Sequence, residues 1–229
     1  ALAAKFPASS VAFQGVSAED YPADLSGYID EGGSNSCATS LATAVTNYST
    51  KCPNSKIVIS GWSQGALCAH KSFAPTGPLN DPVIRNKVIA LTTFGDPVRV
   101  WDDSIAFPIL PTNTKLLSYC QQDTPDPLCT NPLEDFPREP KAFIDRLKAI
   151  WRDFSTAGLN AEQRAAIADI AVTLPQQATK KIGKLGHDIL AGHLNHWLLT
   201  PQHFLYGVGQ HPMVVTAAED IYNVYQTRK

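Results

Sequence analysis

A chain of 229 residues, with 44% hydrophobic and 17% charged residues, is long enough to bury one large core. Its net charge of −2 gives no electrostatic footprint for nucleic acid or an anionic membrane. No apolar stretch approaches the roughly 20 residues that span a bilayer, and Ala1 in place of an initiator methionine is expected of a processed or partial chain.

In chain order, Leu2 to Phe6 reads as a short helix end and Ser10 to Val16 as a strand. Asn35 to Tyr48 is a helix of small residues, capped by Ser34 or Asn35 and closed before Cys52-Pro53. Lys56 to Ser60, Lys87 to Phe94 and Lys115 to Cys120 are strand-like runs bounded by turn residues. Their apolar residues are continuous rather than alternating. That predicts strands buried on both faces, hence an α/β fold with a mostly parallel central sheet between helical layers. In such sheets reactive groups gather at the carboxyl ends of the strands. Met213 to Tyr225, with Val214, Ala217, Ile221 and Val224 on one stripe, is a final helix that covers the sheet.

Between about residues 131 and 199 the pattern becomes helical. Phe143, Leu147, Ile150, Trp151 and Phe154 recur at helical spacing. Asn160 is an N-cap with Gln163 three residues on, followed by Ile167, Ile170, Ala171 and Leu174 on one face. A third helix is predicted from about Gln177 to Leu199, loosened near Gly183 and Gly186. The chain thus divides into one α/β domain, residues 1–130 and 200–229, and a helical insertion, 131–199. Amphipathic helices must dock on something. Either they extend the core, or they form a lid over an apolar cleft lined by Phe143, Ile150, Trp151 and Phe154.

Gly61-Trp62-Ser63-Gln64-Gly65 follows the strand Ile57-Val58-Ile59 and opens the helix that contains Ala66 to His70. A serine at the tip of such a turn is held in strained backbone with its hydroxyl exposed. The flanking glycines leave room for strand and helix to pack and for a carbonyl to approach. A serine nucleophile needs an imidazole base, and the base needs an orienting carboxylate; in this sheet type the chain order is Ser, acid, His. Asp123 and Asp126, in the loop between Cys120 and Cys129, are the acid candidates, with Asp96 a third that comes early in the chain. For the base, His203 and His211 lie in loops returning to the sheet, while His70 reads as a helix-face residue. His187, His193 and His196 fall on the insertion. The last two could share a face, but no carboxylate or cysteine ligand pattern accompanies them, so neither a metal nor another cofactor is expected.

Cys120 and Cys129 bracket a short polar loop as a local disulfide would, and Asn47-Tyr48-Ser49 is a glycosylation triplet. Both point to a secreted, extracellular protein. Five cysteines cannot all pair within the chain.

The stretch Cys52-Pro53 through Ile57-Val58-Ile59-Ser60-Gly61-Trp62-Ser63-Gln64-Gly65-Ala66 resembles the nucleophile region of the cutinase family, secreted serine esterases with an α/β-hydrolase-like three-layer sandwich. Tyr21-Pro22-Ala23 and Phe94-Gly95-Asp96-Pro97 fit the same family. Cys120 through Asp126-Pro127-Leu128-Cys129 is similar to its acid loop, and His203-Phe204-Leu205-Tyr206 to its H-x-x-Y stretch. The resemblance selects Asp126 over Asp123 and His203 over His211. It implies an acyl-enzyme mechanism in which Ser63 attacks an ester, His203 moves the proton, Asp126 orients His203 and the Gln64 N–H faces the oxyanion. Activity should then rise through the titration of an imidazole.

Two departures from the family follow. Relatives place acid and histidine close together in sequence, whereas here the insertion separates Asp126 from His203. The family's first strand and Arg-Gly-Ser/Thr oxyanion loop are not found either. That strand would also carry the partner of Cys52, so an upstream segment linked through Cys52 is expected. Cys37 and Cys68 are then left, paired with each other or reduced. Substrates range from cutin-like polyester and short-chain esters to lipid esters if a lid is present. A non-catalytic binding protein on an esterase scaffold is the contrasting expectation.

Overall fold

The computed structural model describes residues 1–7, 10–17, 19–21, 23–101, 110–121, 125–130, 136–208 and 212–228. Three parallel strands, β1 (Ile57–Trp62), β2 (Val88–Phe94) and β3 (Lys115–Tyr119), lie side by side in that order. Every residue of β2 except Phe94 is buried, as expected of a strand covered on both faces. Short helices α1 (Leu25–Ile29) and α4 (Pro82–Arg85) flank the longer α2 (Asn35–Lys51), α3 (Gln64–Phe73) and α8 (Met213–Gln226).

The layers follow from side-chain alternation. Ile57, Ile59 and Leu91 pack into a core with Ala42 and Val45 of α2 and Ala69 and Phe73 of α3. Trp62, Phe94 and Tyr119 stand in register across the opposite face, where the Tyr119 hydroxyl donates to Asp220 of α8 at 2.5 Å. α2 begins where predicted, with the Ser34 hydroxyl accepting from the Cys37 N–H. A disulfide joins Cys37 to Cys68 of α3, and a second joins Cys120 to Cys129.

The strand predicted at Ser10 to Val16 does not form. Residues 10–17 carry no strand, and Phe13 is 70% exposed. A strand needs a neighbour for its ladder, and among the described residues this segment pairs with no strand, although the outer edge of β1 is open.

The helical region comprises α5 (Pro140–Asp153), α6 (Ala161–Lys180) and α7 (Ile182–Ala191). α6 has the predicted capping box, Asn160 with Gln163. Its C-terminal end is not where the sequence placed it, because the helix continues through Pro175 to Lys180. An interior proline costs about 3 kcal/mol, but Leu174, Pro175 and Ala178 are all buried on this turn, and burying large apolar side chains offsets it at roughly 1.5–3 kcal/mol each. The helix expected to loosen near Gly183 breaks at Lys181, two residues before it, while Gly186 stays inside α7; Gly192, with φ 87°, ends α7 in the left-handed conformation.

These helices are continuous with the rest of the core. Phe143, Leu147 and Trp151 of α5 and Leu185 of α7 share one cluster with Tyr28, Leu67, Val98 and Leu128. Phe143 and Trp151 are buried, while Ile150 and Phe154 are half-buried.

Candidate active site

Strand β1 ends at Trp62 and helix α3 begins at Gln64, so the whole reversal falls on Ser63, which adopts φ 58° and ψ −124°. Among the described residues only Ala23 shares a positive φ without being glycine. Such backbone costs on the order of 1–3 kcal/mol and persists only where its surroundings enforce it. Here the Ser63 N–H donates to the Phe94 carbonyl at 2.9 Å, and the Ser63 carbonyl accepts from Ala66 N–H at 2.9 Å. The two flanking glycines do different jobs. A Cβ on Gly61 would lie 2.5 Å from the carbonyl carbon of Gly65 and 2.7 Å from the Ala66 nitrogen, whereas a Cβ on Gly65 would meet nothing within 4 Å. Gly61 lets strand and helix touch; Gly65 leaves open space beside the serine.

The N–H groups of Gln64 and Gly65 start α3, where backbone donors have no partner inside the helix and the helix dipole favours negative charge. The Gln64 side chain turns away from this face and donates through Nε2 to the Asp24 carbonyl at 3.0 Å. It thereby pins the segment that contains the strained Ala23 against the elbow.

Asp126 and His203 meet beside Trp62 and Gly95, at the carboxyl ends of β1 and β2. His203 sits in a 3₁₀ turn, Pro201–Phe204, and its Nδ1 is 2.6 Å from Asp126 Oδ2, with both side chains fully buried. The Asp126 carboxylate accepts from the Tyr206 hydroxyl at 2.7 Å on Oδ2 and from the Leu128 N–H at 3.0 Å on Oδ1. Its own carbonyl accepts from Thr130 and Cys129 within the loop closed by the Cys120–Cys129 disulfide. Burial pushes the Asp126 carboxyl up, but the charge of His203 and the hydrogen bonds from His203, Tyr206 and Leu128 outweigh it, leaving the group below its ordinary value. Burial and the Asp126 charge push the Tyr206 phenol far up, so it stays a donor.

Trp62 and Gly95 hold the imidazole in place. The indole of Trp62 stacks on the His203 ring at 5.0 Å and 23°, and its Nε1–H donates to the His203 carbonyl at 3.1 Å. His203 Nε2 is buried and makes no hydrogen bond among the described residues; no bond joins it to Ser63 Oγ. Ser63 itself is half-buried. A groove of about 240 Å³ opens next to the imidazole, lined by Trp62, Phe94, Phe204, Tyr206 and Val214.

The remaining sequence candidates lie elsewhere. Asp96 pairs with His70, Oδ2 to Nε2 at 2.7 Å, both fully buried. His70 is seven residues beyond Ser63 on α3, about 10 Å along the axis, so this pair does not reach the hydroxyl; the sequence reading missed it. His193 and His196 do share a face, with rings stacked at 5.2 Å, and the His196 ring also contacts Trp101. Among the described residues no group of three or more ligating side chains could hold a metal. Asp123, His211 and Pro22 lie outside the described residues. Among the described residues Cys52 has no disulfide partner, and it is half-buried. Asn47 is exposed on α2, whereas Ser49 of the same triplet is buried. Trp62 and Gly95 were quoted as parts of motifs with no role of their own; the signal was their place directly before Ser63 and directly after a strand end.

Comparison with known proteins gives one consistent result. The model of the Cutinase family matches residues 1–139. Cutinase CUT1 of Coprinopsis cinerea is 40% identical over 96 residues, 42% of this chain and 43% of that protein. Cutinase CUT2 of Pyricularia oryzae is 37% identical over 103 residues, 44% and 45% of the two chains. The cutinase of Botryotinia fuckeliana is 37% identical over 97 residues, 42% and 44%. Each match covers less than half the length of the relative. The family match includes Ser63 and Asp126 and ends before α5, so His203 lies beyond it.

Proposed function

The chain belongs to the cutinase family, and from that premise we propose that it is a secreted serine esterase that hydrolyses carboxylic esters through an acyl-enzyme. Ser63 Oγ attacks the ester carbonyl carbon while its proton passes to His203 Nε2. The tetrahedral oxyanion is held by the N–H groups at the start of α3, Gln64 first. Collapse breaks the bond to the alkoxide, which leaves as an alcohol with the proton from Nε2. Water then repeats the two steps and frees the acid. Asp126 orients the ring and stabilises the imidazolium.

One observation carries this reading: a carboxylate and an imidazole 77 residues apart in the chain meet at 2.6 Å, both fully buried, on the side of the sheet where Ser63 reverses the chain. Catalysis requires Ser63 Oγ and Nε2 to come within about 2.6–3.2 Å, a contact that tightens on substrate binding in many hydrolases. The groove beside His203 is apolar, which supports an apolar ester group lying there. Residues 1–130 and 200–229 form the esterase domain, and 131–199 an insertion that is part of its core. Two disulfides support secretion into an oxidising compartment, and Asn47 is the glycosylation site.

We further place an upstream segment of the protein along the outer edge of β1, joined through Cys52 and supplying the second oxyanion donor. Losing one such donor costs about 3–4 kcal/mol in known hydrolases. Intact mass under non-reducing conditions tests it: a lone chain with a Cys52 thiol contradicts this placement.

A fluorophosphonate probe tests the function itself. An esterase is modified at Ser63. Absence of labelling, with ester binding retained, selects the non-catalytic scaffold. Turnover of p-nitrophenyl esters that peaks at long acyl chains selects the lipase version.

A further inference from the structure

We propose that Trp151, on helix α5, is a positioning residue for His203, so that the helices of the insertion hold the base in place rather than roof the cleft. The proposal rests on His203 being the base. That histidine sits in a four-residue 3₁₀ turn, which has little stability of its own, so its position is set by what it packs against.

Two indoles supply that support, and both contact Phe204. Trp62, at the end of β1, stacks on the imidazole and meets the Phe204 ring at 5.0 Å and 75°. Trp151 meets Phe204 at 5.8 Å and 65° and donates its Nε1–H to the Leu199 carbonyl at 3.0 Å. One buried side chain of α5 thus grips the chain on both sides of His203, four residues before it and one after. Phe204 stands between the two indoles and carries the displacement of either to the imidazole. α5 is in turn fixed by Glu139, whose carboxylate caps its first N–H groups, and by its packing in the common core.

The full protein, as Trp151→Phe and Trp151→Leu, is compared with Phe143→Leu, a control on the same helix that is also buried and whose ring meets Phe136. All are assayed below their unfolding transitions, by fluorophosphonate labelling of Ser63 and by kcat and KM on p-nitrophenyl acetate. Trp151→Leu is expected to slow labelling and lower kcat roughly 10- to 100-fold, because small misplacements of a catalytic group cost that much, with KM little changed. Trp151→Phe, which keeps the ring contact and loses the N–H, falls between it and wild type. Phe143→Leu lowers the melting temperature and leaves labelling intact. Equal labelling rates for Trp151→Leu and Phe143→Leu overturn the proposal. An unlabelled wild-type protein instead overturns the esterase reading, and this inference with it.

Discussion

Gly95 lies against His203 with no room for a side chain between them. Its φ is +55°, and a Cβ there would stand 2.7 Å from Nδ1, closer still to Cε1, and 2.9 Å from Asp126 Oδ2. The backbone after β2 is therefore one wall of the histidine–aspartate pair, and the Trp62 ring packs on the imidazole as well.

Gly95→Ala should damage both fold and activity. The left-handed backbone alone costs an alanine about 1–2 kcal/mol, and the methyl must push the imidazole off its carboxylate. We expect a lower melting temperature and a loss of roughly 10²-fold in kcat/KM. Calorimetry and p-nitrophenyl acetate hydrolysis measure the two; unchanged kcat/KM would remove Gly95 from the site.

Gly61→Ala and Gly65→Ala should behave oppositely. The first drives a methyl into the Gly65 carbonyl, and overpacking of this kind costs about 1–3 kcal/mol or more. The second puts a methyl into open space on a helix, where alanine is favoured by up to about 1 kcal/mol. Gly65→Ala should keep or raise the urea midpoint while slowing bulky esters more than acetate. Equal destabilisation of both variants would contradict the close approach at Gly61.

Tyr206→Phe removes a donor from Asp126. Its carboxyl is held below the ordinary aspartate value, so it contributes stability that is complete above the unfolded value, near pH ~4, and is lost as pH falls through the lower folded value. Without the phenol the folded value rises and that contribution shrinks, by about 0.5–1.5 kcal/mol for one hydrogen bond. Urea unfolding should show this deficit at neutral pH and a smaller one in strong acid. A deficit that grows on acidification would reverse the sign and rule out the assignment.

Asp96→Asn and Asp126→Asn separate the two buried histidine pairs. Asp96→Asn weakens the buried His70–Asp96 hydrogen bond, should destabilise the fold by about 1–3 kcal/mol and should leave fluorophosphonate labelling measurable at low temperature. Asp126→Asn should lower kcat by about 10⁴-fold, as loss of an orienting carboxylate does elsewhere. If both variants abolish labelling alike, Asp126 has no special place.

Much of this was legible from local pattern. Ser34 as cap, Asn160 with Gln163, and the three parallel strands each rest on neighbours within a few residues. The elbow and the Asp126 loop were readable because each is one short contiguous motif. What escaped was decided at long range. Ser10–Val16 has the composition of a strand yet pairs with neither edge of the sheet among the described residues. Pro175 stays inside a helix because Leu174 and Ala178 bury against the core. The His70–Asp96 pair joins a helix to a strand end 26 residues later, and neither residue announces the other.

The block of helices that carries Trp151 has a consequence for engineering. Trimming surface insertions is a common way to widen an enzyme's mouth for bulky polymers. On the proposal made for Trp151, excising α5 to α7 here would remove the packing behind the His203 turn. Substitutions at Val214 and the adjoining start of α8 would change the groove beside His203 without touching the turn that holds the imidazole.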